Sequence, residues 1–480
     1  MRIPRKGIKS LKGIEYFTNL KSLACYRNEL TSLDLSKNTK LEGVFCHNNK
    51  LTSIDVSKCP EITSLDCCHN ALTSIDVSKN TKLIRLNIWD NQLTSLDVSK
   101  CTSLKRLYFS QNPLTSNVDV SKNTQLDSLN CGTCGLTALD VRKCRELASL
   151  YCWDNNLTEL DVTQCTKLDT LDCSGNQIST LDVSKCSSLL YFNCSTNTIT
   201  RLDLNNPKLI KLYAAHNKLP SFDVTKSKEL KVLSCWDNEL TELDVTQCTK
   251  LNTLWCDDNQ LTAIDVTKCT GLTDFYCSGN QIASLDVTKN TELTDLAFAE
   301  NQISSIDVSR NTALTFFACY GNLLTSLDLS QHTALEEFRC QRNQLTSLTF
   351  ARNGVLKTVF CHRNRIAGKA MDDMIASLPN QEDGYIALFN TDYITEEQNV
   401  CTTIQVANAK TKGWIAYHSL NLDFVPYPGS DPDGIESILS APVGTIDAAF
   451  GLDGRKHQQP RKGLNILRME NGKTRKVMVR

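Results

Sequence analysis

One pattern, LxxLxCxxNxLTxLDVSKNTx, recurs along most of this sequence at an interval of 21 residues. One extra residue at Asn117 lengthens a unit to 22, and the segment LDLNNPKL shortens another to 20. Self-similarity at a fixed period of this size is the signature of a repeat architecture, because one unit buries its apolar face only against its neighbours. Alignment on the polar residue of CxxN gives seventeen equivalent positions: Asn28, Asn49, Asn70, Asn91, Asn112, Cys134, Asn155, Asn176, Asn197, Asn217, Asn238, Asn259, Asn280, Asn301, Asn322, Asn343 and Asn364.

The apolar positions of the unit predict the direction of its side chains. Strand alternation directs Leu150 and Cys152 inward, and it directs Tyr151 and Trp153 outward. A second apolar segment adds three inward side chains, Leu157, Leu160 and Val162. When units stack at the strand spacing of about 4.8 Å, each inward position becomes a continuous column of the core.

The unit resembles the leucine-rich repeat, in its 21-residue form with a nested second LxxL segment, over roughly residues 11–367. The resemblance implies a repeat solenoid that is mainly β with short turns, in which the repeat Asn lies inside and bonds backbone groups. It also implies that protein or peptide is the commonest ligand. The start IKSLKGIEYFTNLKSL (8–23) is internalin-like and predicts a first turn without a full N-terminal cap.

Four regions are expected along the chain. Residues 1–22 start the solenoid as a partial cap, and residues 23–367 form a solenoid of about seventeen repeats. Residues 368–430 form an αβ C-terminal cap, in which the sequence predicts a helix over 368–379, a strand over 384–390, a helix over 395–414 and a closing strand or hairpin. Residues 431–480 form a small β tail behind the turn-rich linker PYPGSDPDG (426–434).

The end of the chain carries two further resemblances. The capping segment resembles the C-terminal portion found on similar repeat proteins of Bacteroidetes. The tail resembles the sorting domain of the Por, or type IX, secretion pathway, through the turn at Asp453-Gly454-Arg455, the strand start at 463–466 and the basic end at 472–480. This resemblance implies export across an outer membrane. The alternative is a small accessory β-domain.

The 23 cysteines follow the repeat. Thirteen lie at the inward position three residues before the repeat Asn, and Ile, Phe or Ala replaces them elsewhere, so the slot requires apolar volume and not a thiol. Seven more replace the Asn of SKNT in the turn. The CxxC at Cys131–Cys134 resembles a redox or zinc motif, but Cys134 stands at a repeat Asn position and no second CxxC completes a zinc set. We expect free thiols.

Fifteen aspartates, from Asp34 to Asp328, recur once per repeat. Each is expected to cap backbone N–H groups of the following turn, since a bare column of like charges would be costly. A calcium ladder is the alternative, although the Gly-rich spacing of calcium-binding nonapeptide repeats is absent. A second candidate metal group contains His47, Asp66, Cys68 and His69. Two surface histidines are usually just solvated, so we expect neither a metal nor another cofactor.

Large aromatic residues recur at the outward strand positions. Nothing in the packing of a solenoid requires exposed tryptophan, and exposed aromatics are typical of binding surfaces. The alternative is that these rings only shield the sheet, as cross-strand pairs do. The predicted ligand-binding face contains Trp89, Tyr108, Tyr151, Trp153, Tyr213, Trp236, Trp255, Asp257, Tyr276 and Tyr320.

Several classes of function lack support in the sequence. Lys and Arg total 52 against 53 Asp and Glu, so no basic excess indicates nucleic-acid binding. No apolar run reaches the roughly 18–20 residues that span a bilayer. Catalytic signatures such as GxSxG, HExxH and the P-loop are absent, and the seven histidines are scattered.

The sequence therefore predicts a non-catalytic, adhesin-like binding protein whose strand face holds a protein or peptide, in the extracellular space or at the outer-membrane surface. No signal peptide is visible in MRIPRKGIKSLKG, so the given sequence begins after an export signal or the protein stays inside the cell. Two alternatives remain open. One is a glycan-binding surface protein, since flat aromatics beside carboxylates also suit sugar rings. The other is an intracellular protein-interaction scaffold.

Overall fold

The computed structural model describes residues 1–351, 354–393, 395–420 and 423–430, together with the backbone of four strands between residues 446 and 479. The chain divides into two compact units, residues 1–272 and residues 273–480. Each unit contains strands that repeat at the interval of the sequence pattern, and each is described by itself.

In the first unit, twelve three-residue strands, one per repeat, pair side by side in parallel. They are Ser22–Ala24 (β1), Gly43–Phe45 (β2), Ser64–Asp66 (β3), Arg85–Asn87 (β4), Arg106–Tyr108 (β5), Ser128–Asn130 (β6), Ser149–Tyr151 (β7), Thr170–Asp172 (β8), Tyr191–Asn193 (β10), Lys211–Tyr213 (β12), Val232–Ser234 (β13) and Thr253–Trp255 (β14). On the second apolar segment, Thr180–Asp182 (β9) pairs with Arg201–Asp203 (β11), and a 3₁₀ turn covers Ile14–Tyr16.

The register places equivalent residues of successive repeats beside each other. Leu150 lies between Leu129 and Leu171, and all three side chains are fully buried. The strands are short because the chain turns through a residue of positive φ just before each repeat Asn, as at Asp154 (φ 49°). The predicted inward positions are confirmed, since Cys152, Leu157, Leu160 and Val162 are also buried.

The repeat Asn forms an internal ladder of hydrogen bonds. The amide of Asn155 donates to the carbonyls of Cys152 (3.0 Å) and Cys131 (2.9 Å), and its Oδ1 accepts from the backbone N–H of Leu136 (2.9 Å). One side chain therefore satisfies backbone groups of its own repeat and of the preceding one. Since an unpaired buried carbonyl costs roughly 1–3 kcal/mol, the ladder explains why a polar residue recurs inside an apolar core.

A second ladder runs through the turns, at the Asn of SKNT. The amide of Asn80 donates to the carbonyls of Val56 (3.1 Å) and Cys59 (2.8 Å), while its Oδ1 is buried without a partner. A side chain at this turn position therefore needs a hydrogen-bond donor but no hydrogen-bond acceptor. Cys165 meets this need with its S–H group, whose Sγ lies 3.6 Å from the carbonyl oxygen of Val141 and 3.7 Å from that of Cys144. This explains why cysteine replaces asparagine here, beyond what the sequence predicts.

Fourteen of the fifteen recurring aspartates cap their turns, as predicted. Asp203 instead accepts hydrogen bonds from the guanidinium of Arg201. Oδ1 of Asp161 accepts from the backbone N–H of Thr163 (2.9 Å) and from its hydroxyl (2.7 Å). Hydrogen bonds from Ser36 likewise lower the pKa of Asp34, and those from Arg142 lower the pKa of Asp140 to about 2. The capping carboxylates thus stabilise their own turns, and at Asp34 and Asp140 the turn favours the ionised state.

All 23 cysteines lie in the described part of the chain, and every one is buried and outside any disulfide bond. Burial raises the pKa of most of the thiols, for example that of Cys25 to about 12 and that of Cys134 to about 11. The Sγ of Cys134 lies 3.2 Å from the carbonyl oxygen of Phe109, to which its S–H group donates at the repeat Asn position. The predicted packing role of these cysteines is therefore confirmed.

The second unit begins with five strands of the same kind, followed by larger elements. The repeat strands are Asp274–Tyr276 (β15), Asp295–Ala297 (β16), Phe316–Ala318 (β17), Glu337–Arg339 (β19) and Thr358–Phe360 (β21). On the second apolar segment, Leu327–Leu329 (β18) pairs with Leu348–Phe350 (β20). The remaining elements are Lys369–Ser377 (α1), Gly384–Asn390 (β22), Thr403–Thr411 (α2), Trp414–Leu420 (β23) and Asp423–Pro426 (β24).

The elements after β21 extend its sheet. Strands β22 and β23 add to it in parallel, β24 returns antiparallel to β23, and α1 packs against α2 and β20. The helix predicted over 395–414 is wrong in its first half, because α2 begins only at Thr403, behind a capping box between Thr402 and Gln405. Residues before it serve another purpose: Asn399 donates to the carbonyls of Cys361 (2.8 Å) and Leu388 (3.0 Å) and so continues the Asn ladder.

The tail contains a four-stranded antiparallel sheet of order β26-β25-β27-β28. Its strands are Ile446–Phe450 (β25), Lys456–His457 (β26), Gly463–Met469 (β27) and Thr474–Val479 (β28). The small β tail is therefore confirmed at the level of its backbone. The Asp453-Gly454-Arg455 turn and the 431–434 part of the predicted linker lie outside the described residues, and the four domain boundaries stay predictions.

Candidate functional site

The outward side of the repeat strands carries the predicted face. In the first unit it holds eight of the ten predicted residues, from Trp89 to Asp257, and in the second unit it holds Tyr276 and Tyr320. All ten are half-buried except Trp89, which is 37% exposed. The rings therefore lie against the sheet with one surface covered by neighbours and the other open to solvent.

Trp89 is held from both sides by residues of adjacent repeats. Its ring meets the imidazole of His69 edge-on, with 4.5 Å between the ring centroids. Its Nε1–H donates to Oε1 of Gln111 (2.8 Å). These contacts fix the plane of the indole while its outer face stays accessible.

Trp236 repeats this arrangement seven repeats further along. Its ring lies 3.9 Å from that of His216, again edge-on. In both places the aspartate after the tryptophan bonds the same histidine, with 2.5 Å from Nδ1 of His69 to Oδ2 of Asp90 and 2.5 Å from Nδ1 of His216 to Oδ2 of Asp237. Sequence reasoning missed this pairing, although a His followed 21 residues later by Asp in the same column was the available signal.

Trp153 sits over a glycine instead of a histidine. A Cβ on Gly132 would come within 2.4 Å of the indole, so the absence of a side chain there makes room for the ring. In the same way, the carboxylate of Asp154 occupies the space beside Gly175, whose φ is 65°. A substitution at either glycine would displace the side chain above it.

Tyr108, Tyr151 and Tyr213 lie at the last position of their strands. Arg85 stacks over the ring of Tyr108, 5.9 Å from its centroid. The ring of Tyr213 lies 5.8 Å from that of Tyr191, a neighbour that the sequence prediction omitted. Burial, followed by the nearby Asp169, raises the pKa of Tyr151. Tyr151 is thus a neutral, amphipathic contact surface at physiological pH.

Trp255 and Asp257 complete the predicted set in the first unit. Trp255 ends strand β14, in register with Ser234 of β13. The half-buried Asp257 follows it at the column of the three other tryptophans, beside the exposed Asp258. The last repeats of this unit therefore carry more carboxylate on their face than the first.

In the second unit, Tyr276 and Tyr320 face different neighbours. The ring of Tyr276 lies 6.5 Å from that of Phe316, and Arg339 stacks over Phe316 at 5.8 Å. The backbone carbonyl of Tyr320 accepts from the N–H of Glu300 (2.7 Å). The sequence prediction omitted Phe316 and its cation–π contact with Arg339.

The candidate metal group is engaged in other ways. His47 stacks on Tyr26 with 4.5 Å between the rings, and Asp66 accepts from the amide of Asn87 (3.2 Å). Cys68 is buried, which raises its pKa, and His69 bonds Asp90. Within the described residues, no three His, Cys, Asp or Glu side chains are placed to hold a metal ion.

Two clefts lie on the flank formed by the second apolar segment. One of about 420 Å³ is lined by Asp140, Glu159 and Asp161, and another of about 550 Å³ is lined by Asp223 and Asp244. The aspartates that line these clefts already accept hydrogen bonds from their own turns. The clefts are therefore acidic, but these carboxylates are not free to bind an ion. Neither was predicted from the sequence.

Comparison with known proteins agrees with this geometry. The sequence matches the family described as "Leucine Rich repeats (2 copies)" over residues 145–186 and 228–268. The same strand-and-ladder unit recurs in both regions of the chain. The chain is a leucine-rich-repeat solenoid. No protein of curated function matches the sequence at a significant level.

Solved leucine-rich-repeat structures resemble this one. The functional domain of InlJ from Listeria monocytogenes, which includes a cysteine ladder, is 27% identical at a TM-score of 0.55, over 99% of this chain and 89% of InlJ. YopM from Yersinia enterocolitica is 19% identical at a TM-score of 0.58, over 86% and 88% of the two chains. The ectodomain of the receptor kinase GASSHO1/SCHENGEN3 from Arabidopsis thaliana, in complex with CASPARIAN STRIP INTEGRITY FACTOR 2, is 18% identical at a TM-score of 0.63, over 83% and 55%.

The described helices do not cross membranes. Helices α1 and α2 have nine residues each, and no helix among the described residues is long and apolar enough to span a bilayer.

Proposed function

We propose that the leucine-rich-repeat solenoid is a non-catalytic binding protein that holds a protein or peptide on its strand face. The observation that carries the proposal is the row of Trp89, Trp153 and Trp236, whose indoles are positioned by neighbouring repeats and keep one face open. Rigid, half-buried aromatics supply a large contact area at little entropic cost, which is why they dominate protein interfaces. The solved leucine-rich-repeat receptor in complex with an integrity factor supports this class of partner.

The same proposal places the protein in the extracellular space or at the outer surface of a bacterium, with an adhesin-like role. The support is the likeness to InlJ and the resemblance of the tail to a type IX sorting domain. Cell fractionation of the full-length gene product tests it. Recovery in the surface or medium fraction is expected, and recovery in the cytosol would favour the scaffold alternative.

Selection from a random displayed peptide library tests the binding function, with a glycan array run in parallel. Binders recovered on the wild-type protein should lose at least about tenfold in affinity on Trp236→Ala. Tyr16→Ala is the matched control, because Tyr16 is an aromatic residue that is 83% exposed and lies in the 3₁₀ turn. Peptide binding that is equal on all three proteins moves the site off this face, and binding to glycans alone replaces the proposal with the glycan alternative.

A further inference from the structure

Two composite groups on the strand face of residues 1–272 have the same geometry. Each contains a histidine, and each takes a tryptophan and an aspartate from the following repeat: His69 with Trp89 and Asp90, and His216 with Trp236 and Asp237. The aspartates adopt the same backbone conformation, with φ 54° in both. Both groups are accessible, since the histidine side chains are 34% and 42% exposed and the aspartates 51% and 58%.

The hydrogen bond between histidine and aspartate decides what these groups offer a ligand. An ionised carboxylate only accepts hydrogen bonds, so Nδ1 of the imidazole carries the hydrogen. In the described part of the chain, Nε2 of neither ring has a partner. Each group therefore presents an electron-rich indole face and an exposed carboxylate to solvent.

Trp153 and Asp154 form a third group of the same row without a histidine. Thr133 stands where the other groups have His69 and His216. Among residues 1–351, the carboxylate of Asp154 has no hydrogen-bond or ion-pair partner. A half-buried indole with one open face beside an unpaired carboxylate is the arrangement that favours a cation, through the ring quadrupole and the charge together.

The charge of the surrounding columns has one sign. The row comprises the two positions before each repeat Asn. From Cys68 to Asp258 it contains no Lys or Arg and five carboxylates: Asp90, Asp154, Asp237, Asp257 and Asp258. The cations of these strands, Arg85, Arg106 and Lys211, lie at the first strand position instead. A basic partner is therefore attracted to the edge of the sheet where the strands end and repelled from the edge where they begin.

We propose that the row of Trp89–Asp90, Trp153–Asp154 and Trp236–Asp237 binds an extended peptide segment through its Arg or Lys side chains. This inference rests on the proposed function and names the chemistry of the partner. Three repeats separate the first two groups and four separate the last two. At about 4.8 Å per repeat the gaps are about 14 and 19 Å, which an extended chain of about 3.4 Å per residue covers in about four and six residues. The row thus fits cations at positions i, i+4 and i+10.

A designed peptide tests this chemistry. The probe carries Arg at positions 1, 5 and 11 of an uncharged Gly/Ser chain with blocked ends, and its dissociation constant is measured by fluorescence anisotropy. One control peptide has Glu at the same positions, and another has the three Arg in consecutive positions. The variants are Trp153→Ala and Asp154→Asn, where Asn keeps the positive-φ backbone. Glu159→Gln is the matched control, an equal loss of charge on the other flank of the same repeat.

The Arg peptide should bind more tightly than both controls, and its affinity should fall when salt rises from 50 to 500 mM. Asp154→Asn should raise the dissociation constant about threefold or more and Trp153→Ala about tenfold, whereas Glu159→Gln leaves it unchanged. Equal binding of the Glu peptide, or wild-type affinity of Asp154→Asn, overturns the inference. If the library yields Trp236-dependent binders that are neutral or acidic, the inference fails and the proposed function stands; if it yields none, the proposed function itself fails.

Discussion

At the scale of single residues, the same amino acid has two roles in this chain. Cys152 in the strand column fills apolar volume, since it is fully buried and Ile88 or Phe109 takes its place in other repeats. Cys165 in the turn column replaces an Asn amide, because its S–H points at the two carbonyls that Asn would bond. The difference lies in the backbone around each slot and not in the thiol.

The substitution of Asn for each of these cysteines should therefore have opposite effects. Cys165→Asn is expected to be as stable as the wild type or more so, because Asn80 and Asn123 already occupy this slot in other repeats. Cys152→Asn should lower the free energy of unfolding by about 3 kcal/mol or more, since it buries an amide in an apolar column. Urea denaturation followed by circular dichroism measures both. Equal destabilisation would contradict the donor role of Cys165.

At the scale of elements, five turns of the first unit carry a pH-dependent cap. Hydrogen bonds donated by the serine two residues further on lower the pKa of Asp34, Asp55, Asp76, Asp97 and Asp119. A carboxyl group whose pKa is lower in the folded state contributes stability above its unfolded pKa, about 3.9. That contribution is lost as the pH falls through the folded value.

Replacement of these five aspartates by Asn should therefore weaken the acid sensitivity of the protein. Asn keeps the Oδ1 acceptor for the turn N–H but does not titrate. Thermal denaturation of the variant and the wild type should give melting temperatures within a few degrees of each other at pH 7. Between pH 5 and pH 2.5 the wild type should lose more than the variant. A parallel decline of both proteins would show that other groups govern the acid response.

At the scale of the whole molecule, the fold shields all of the thiols from solvent. Each of the 23 cysteines is buried, and burial raises the pKa of most of their thiols, to about 12 for Cys165 and Cys186. Reaction with disulfide reagents requires a thiolate and access, and the native fold limits both.

Thiol titration should therefore separate two states sharply. The native protein at pH 8 should show almost no reaction with dithiobis(nitrobenzoate) over minutes. The protein in guanidinium chloride without reductant should show all 23 thiols. A count well below this number after denaturation would mean that cysteines pair, and the packing account of the columns would then fail.

Much of the fold was predictable from the sequence because contacts in a repeat array connect each residue to the one about 21 positions away. The inward columns, the Asn ladder and the Asp caps follow from that single interval. The start of α2 did not follow, because residues before it are drawn into distant bonds: Asn399 reaches the carbonyl of Cys361, and Glu397 accepts the N–H groups of Arg363 (2.8 Å) and Asn390 (2.9 Å).

The sequence by itself determined the period, the strand of each repeat and the columns to which the tryptophans and aspartates belong, since these depend only on spacing and polarity. The tertiary structure alone decided which side chains meet across the repeats. It joined His69 to Asp90 and not to the other predicted metal ligands, placed Trp153 over Gly132, and left an acceptor of Asn80 unused. The reason is that the repeat interval determines which residues are neighbours in a column, whereas side-chain rotamers and the local backbone direction determine which of their atoms touch.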